Sequence, residues 1–292
     1  MTSSIEVAVQ VRATLGEGPI WDEREQVLYW VDIRGNALYR YNPATGENQH
    51  RDVGQPVGTV VLRENGGLLL AVKEGFAFFD WESGTLEMIA NPQGRAPGTR
   101  FNDGKAGPAG HFWAGDMHTD GDPCEGKLFV LKRDLSVHTA AEEYCIPNGI
   151  VWTHDHRTMY HIDTPRRIVH AYDYDLESGT ISNQREAFSV PSEMGFPDGM
   201  AIDAEGMLWI AHYDGSSVRR WHPHTGEVLL QISLPVSQVT ACAFGGENLT
   251  TLYITTASQE YTEEDFAREP LAGSLFVAES GVEGTATYRF AG

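Results

Sequence analysis

A sixfold internal repeat governs what this chain can fold into. Each copy places a short apolar run after a glycine, then a tight turn, an aromatic strand, and two more strands joined by turn residues. The first copy reads Gly18-Pro19-Ile20-Trp21, Leu28-Tyr29-Trp30-Val31-Asp32, Ala37-Leu38-Tyr39-Arg40-Tyr41 and the turn Asn42-Pro43-Ala44-Thr45-Gly46. Later copies open at Gly58, Gly104, Gly149, Gly199 and Ala241, 40 to 50 residues apart. That period, with about four short strands per unit, is the spacing of propeller blades. The expected fold is therefore all-β: one six-bladed β-propeller of four-stranded antiparallel blades spanning residues 1–292. A pair of β-sandwiches is the alternative, and it does not account for the period. The last blade needs the N-terminal strand, Ile5 to Arg12, to leave no open edge. Only the short acidic stretch Thr262 to Arg268 reads as helical.

The composition fits one globular domain: 41% of the 292 residues are hydrophobic and 21% charged, with no linker or low-complexity segment. Net charge is −20, from 41 acidic and 21 basic residues spread along the chain. Such a field repels phosphate backbones and anionic lipid heads, which argues against nucleic-acid and membrane partners. It would also let a neutral substrate in and drive an anionic product out. No basic leader segment and no apolar run of membrane-spanning length occur, so a cytoplasmic protein is expected. Cys124, Cys145 and Cys242 are odd in number and form no CxxC pair, which predicts three structural thiols and no disulfide. Oligomeric state leaves no mark in the sequence.

The innermost strand of each blade lines the propeller axis, so residues at its start converge on one rim of the channel. Just before the opening glycines stand Glu17, Asn102-Asp103, Asn148 and Asp198 in blades one, three, four and five, with Val57 and Thr240 in blades two and six. Taken singly, Asn or Asp before Gly reads as a turn. A shared phase in four blades reads as a site instead. Carboxylate and amide oxygens suit a hard divalent cation such as Ca²⁺, Mg²⁺ or Mn²⁺.

The segments Leu15-Gly16-Glu17-Gly18-Pro19-Ile20-Trp21, Arg100-Phe101-Asn102-Asp103-Gly104-Lys105, Pro147-Asn148-Gly149-Ile150 and Phe196-Pro197-Asp198-Gly199-Met200 carry a resemblance. With Val239 to Gly246 and Leu252 to Ala257, they are similar in order to the motifs of the SMP-30/gluconolactonase/LRE family. The resemblance covers nearly the whole chain. It implies a metal-dependent six-bladed propeller acting on a sugar lactone. Position by position it implies metal ligation by Glu17, Asn148 and Asp198, and substrate contacts from Arg100 and Asn102. One divalent ion is expected, Ca²⁺ first, with Zn²⁺, Mn²⁺, Mg²⁺ or Fe²⁺ as alternatives. The loop Gly115 to Asp120 departs from the family's Gly-Thr-Met pattern at Asp116.

Lactone hydrolysis needs a polarised carbonyl and an activated water, roles that a divalent ion and Asp198 as general base would fill. Asp198 as a ligand only is the variant reading. His118 and Asp120 are candidate substrate contacts, and His212 could reach the pocket from a strand end. The His154-Asp155-His156 cluster reads as a solvated turn. No Gly-x-Ser-x-Gly elbow, P-loop or dinucleotide fingerprint occurs. Two further readings stay open: phosphoester or phosphofluoridate hydrolysis on the same centre, and a non-enzymatic calcium-binding propeller.

Overall fold

Alternation of apolar and polar residues, punctuated by Ser-Gly and Thr-Gly turns, builds six four-stranded antiparallel sheets around one axis. The computed structural model describes residues 5–93, 95–119 and 124–292. The innermost strands are Gly16–Asp22, Val57–Leu62, Thr99–Ala106, Pro147–Trp152, Phe196–Ile202 and Val239–Gly245. All are almost wholly buried, because each lies between its own sheet and the axis. The outermost strands are the most exposed, whether polar, as in Glu47–Asp52, or mixed, as in Thr85–Ala90. Ile5–Val9 pairs with Leu275–Glu279 and completes blade six from the opposite end of the chain, so ring closure follows the sequence expectation. Thr262 caps the helix Glu263–Arg268 in a reciprocal box with Asp265, and a six-bladed ring replaces the sandwich alternative.

Adjacent blades meet through paired rings. Around the ring the contacts are Tyr29–Trp81, Phe76–Phe101, Trp113–Trp152, Phe188–Trp221, Trp209–Phe244 and Trp21–Tyr253, with centroids 4.9 to 6.1 Å apart. At least one ring pair at each of the six interfaces explains why aromatics recur in every repeat. Each such pair contributes about 0.5–1.5 kcal/mol beyond its buried area. Where innermost strands crowd the axis, only glycine fits. A Cβ on Gly199 would fall 2.4 Å from Ala241 Cβ, and one on Gly149 2.5 Å from Met200 Cβ.

Residues 284–291 run across the underside of the propeller. Gly284 bridges to Asp203, Thr285 donates to Ile202 O at 3.1 Å, and Arg289 pairs with Asp22 at 2.6 Å. Phe290 N–H reaches Leu62 O and Ala291 N–H reaches Gly110 O. With Tyr288 against His156 of blade four, this strap ties blades one to five together at the end opposite the polar rim.

One expectation is corrected. Cys124 and Cys145 form a disulfide, which leaves Cys242 as the buried free thiol; cysteines 21 apart in sequence are brought together because they flank one end of the antiparallel pair Gly126–Leu131 and Val137–Tyr144 in blade three, where Gly126 faces Tyr144. The His154-Asp155-His156 segment is a turn with His154 and Asp155 exposed, as expected; it is tied down on one side, His154 Nε2 lying 2.9 Å from Asp203 O and His156 Nε2 2.8 Å from Tyr288 Oη. No helix among the described residues is long and apolar enough to cross a membrane.

Candidate functional site

The residues of common sequence phase sit neither in turns nor at strand ends. They lie within the innermost strands, at a register shift that recurs in every blade. The shifts fall at Glu17/Ile20, Val57/Thr59, Phe101/Gly104, Asn148/Ile150, Pro197/Met200 and Val239/Ala241. A bulge kinks the strand and re-aims its side chains. Here it turns Glu17, Asn102, Asn148 and Asp198 toward one cavity of about 530 Å³ at the top of the axis. Arg100, Met117, Thr119, Ile146, Thr164 and Tyr213 join its walls. Val57 and Thr240 stay out of it. Thr240 instead donates to Gly16 O at 2.5 Å, a bond between blades six and one.

Each polar side chain has a fixed orientation. Asn148 Nδ2 donates to Thr164 Oγ1 at 2.9 Å, and that hydroxyl donates to Pro197 O at 2.7 Å. The amide nitrogen is thereby held away from the cavity, and Asn148 Oδ1 is left buried with no partner among the described residues. Asp198 Oδ1 is likewise buried and unpartnered. Asn102 is spent differently: its Nδ2 donates to Pro147 O at 3.0 Å while its Oδ1 accepts from Arg100 Nη1 at 2.9 Å. Among the described residues Glu17 accepts only from Gly18 N–H, at 3.0 Å.

The electrostatics record what this burial costs. Desolvation, then repulsion from Asp103, raises the Glu17 carboxyl to about 8. Desolvation and the negative charges of Glu17 and Asp103 push Asp198 well above the usual carboxylate range. Burial, and next the Arg34 guanidinium, lower Arg100 to about 10. Two carboxylates and an amide oxygen around one void, with two oxygens unpartnered, fit a hard divalent cation, whose charge would reverse the two carboxyl shifts. Among the described residues no three His, Cys, Asp or Glu side chains converge as a metal-holding group. The set falls outside that pattern because Asn148 supplies the third oxygen.

This order of motifs matches the family model for an SMP-30/Gluconolactonase/LRE-like region over residues 15–258. The chain belongs to that family. It is 39% identical over 298 residues to regucalcin of Xenopus laevis, covering 99% of this chain and 100% of that one. It is 37% identical over 281 residues to a Bacillus subtilis (strain 168) protein named "Putative sugar lactone lactonase YvrE", with 96% of each chain covered. In three dimensions it is similar to a luciferin-regenerating enzyme, with a TM-score of 0.92, 31% identity and 99% of each chain covered.

Within this family fold, Asp116, His118 and His212 do not line the cavity. Asp116, where the loop departs from the family pattern, is buried beneath the rim; it pairs with Arg95 at 3.0 Å and accepts from Lys127 N–H at 2.8 Å. His118 packs beside Gly98, while its neighbour Thr119 is the residue that reaches the wall. His212 is fully buried in blade five, stacked on Trp221. Asp120 lies outside the described residues. Asp103 points to a small chamber below the cavity, lined also by Lys105 and Cys242.

Sequence reasoning missed the residues that hold the rim. Asp32 ends the second strand of blade one and takes the N–H groups of Thr14 and Leu15 at 2.8 and 2.9 Å, fixing the segment that leads into Glu17. Asp163 does the same in blade four for Cys145 and Ile146, ahead of Asn148. Their common place at the end of Trp30-Val31-Asp32 and His161-Ile162-Asp163 was the available signal.

Proposed function

We propose that this protein is a divalent-metal-dependent lactonase that opens a sugar (aldono) lactone to the aldonic acid. The observation that carries this reading is the pair of buried, unpartnered oxygens, Asn148 Oδ1 and Asp198 Oδ1, facing one cavity with Glu17 and Arg100. The names of the sugar lactone lactonase relative and of the family support the substrate class. Glu17, Asn148 and Asp198 would hold the ion, with Ca²⁺ favoured by an all-oxygen donor set. The chemistry such an ion supplies when bound is Lewis-acid polarisation of the lactone carbonyl.

Arg100 spends Nη1 on Phe101 O and Asn102 Oδ1, which leaves its other N–H groups for substrate hydroxyls or the ring oxygen. Asn102, locked between Arg100 and Pro147 O, keeps that guanidinium in place. Asp198 accepts a proton from water as the water oxygen bonds to the carbonyl carbon. The ring acyl C–O bond then breaks, and the departing alkoxide takes that proton. Lactone and water become one hydroxy acid. A protein that only stores calcium has no use for a buried arginine beside the ligands, which favours the enzyme.

A panel of sugar lactones and one phosphotriester, assayed after chelation and reconstitution with Ca²⁺, Mg²⁺, Mn²⁺, Zn²⁺ or Fe²⁺, tests the reading. Lactone turnover should vanish on chelation and return with metal. Asp198→Asn should lower kcat at least about 100-fold while calcium binding, followed by calorimetry, stays measurable. Undiminished turnover by that variant would remove Asp198 from the proton-transfer role. Lactone hydrolysis at the background rate with every metal would overturn the lactonase.

A further inference from the structure

A second guanidinium stands at the mouth of the same cavity. Arg34 lies on the hairpin between the second and third strands of blade one and lines the pocket with Arg100. Its turn is pinned. Asp32 accepts the Gly35 N–H at 2.9 Å as well as those of Thr14 and Leu15, and a Cβ on Gly35 would fall 2.5 Å from Asp32 Oδ2. Asp32 is therefore committed to backbone N–H groups, and Arg34 is exposed.

Like charges held together need a reason. Arg34 is close enough to Arg100 to repel it, yet among the described residues neither guanidinium has a carboxylate ion-pair partner. Arg24, Arg40, Arg95, Arg185, Arg220 and Arg289 do, and the other unpaired arginines, such as Arg51, Arg63 and Arg219, do not line this cavity. Arg100 is drawn only to the cavity's own carboxyls, Glu17 and Asp198. Carboxylates are not scarce: the chain has 41 acidic and 21 basic residues. The other charged group at the mouth, Glu260, comes from blade six beside Tyr213 of blade five. Blade two, in sequence between the blades that carry Arg34 and Arg100, contributes no residue to the cavity wall. The mouth is thus polarised, with its cationic side over blades one to three, against the sign of the whole molecule.

We propose that Arg34, with Arg100, forms an anion subsite at the cavity mouth, so that the preferred ligand is a sugar acid or its lactone bearing a second negative group, carboxylate or phosphate, at the end remote from the reacting carbonyl. The word lactone rests on the function proposed above; the anion subsite does not. A carboxylate or phosphate between the two guanidiniums would relieve their repulsion and accept paired N–H donors. Because Arg34 is exposed, the gain is modest, about tenfold in affinity, and it shrinks as salt rises.

Calorimetric titration of the calcium-loaded protein with D-gluconate, D-glucarate and 6-phospho-D-gluconate reads the subsite without turnover. Expected is about tenfold tighter binding of glucarate or the phosphate than of gluconate, and collapse of that ratio toward one in Arg34→Gln. Which of the two dianions gains separates carboxylate from phosphate. Equal affinity for all three probes, no binding of any, or an Arg34→Gln loss as large for gluconate as for the dianions would overturn the proposal. The last result would put Arg34 on the reacting carboxylate. Turnover of gluconolactone and glucarolactone is measured in parallel. No hydrolysis of either with the charge preference intact removes the lactonase and leaves the subsite; hydrolysis without charge preference does the reverse.

Discussion

At the scale of single residues, Asn148 shows how a side chain of ordinary chemistry is given one orientation. Its amide could present either nitrogen or oxygen to the cavity. Thr164 decides, accepting Nδ2 while it donates to Pro197 O. If Asn148 holds a cation, Thr164→Val should free the amide to rotate and weaken calcium binding about 10- to 100-fold, as loss of a group that orients a ligand commonly does. Thr164→Ser should restore it. Calorimetry on both variants checks this, and unchanged affinity in the valine variant would show that the hydroxyl orients nothing. Glu17, Asn102, Asn148 and Asp198 were legible as a converging set because their chemistry is carried by side-chain type at a fixed phase. Thr164, Asp32 and Asp163 were not. Their work is hydrogen bonding to a neighbour's backbone or amide, and that pairing exists only once the strands are registered.

At the scale of elements, the repeated bulge is the feature that sequence reading placed one step wrong. The pattern before Gly18, Gly149 and Gly199 resembles a turn, since Asn-Gly and Asp-Gly commonly make turns. Each strand in fact begins before its glycine and continues through it, with a register shift at the polar residue. A strand with one extra residue keeps its apolar alternation on both sides, so a bulge leaves almost no trace in the hydrophobic pattern. The disulfide was hidden for a related reason. Cys124 and Cys145 flank one end of a strand pair within blade three, and no sequence spacing announces the register that sets Gly126 opposite Tyr144 and the two sulfurs side by side. The bond closes a loop of 21 residues, which by chain entropy is worth about 3 kcal/mol. Cys124→Ser should lower the urea midpoint accordingly. In reducing buffer the wild type and the variant should become indistinguishable. A variant as stable as the oxidised wild type would mean that the two sulfurs are not joined in solution.

At the scale of the whole molecule, the period and the apolar strands were enough to give blade number and ring closure, because both follow from burying one face of every sheet and leaving no edge. The underside strap was not legible: residues 284–291 have no strand periodicity and are held by contacts with five separate blades. The ring also buries neutral histidines that the unfolded chain would protonate. Burial, with His170 nearby, lowers His161 to about 3. Burial and Arg219 lower His212 to about 3. Both rings stay neutral in the fold while the unfolded chain takes up protons below about pH 6.5. Stability from this source is therefore constant above that pH and is lost as pH falls from about 6.5 toward 3, at about 1.4 kcal/mol per unit for each ring. The raised carboxyls of Glu17 and Asp198 act in the opposite sense, since ionising them as pH rises penalises the fold. A comparison between variants cancels that contribution. Urea unfolding at pH 7.5 and 5.0 should show His212→Gln losing less stability over the interval than the wild type, by about 2 kcal/mol. An identical loss in the two proteins would mean that His212 takes up its proton inside the folded ring.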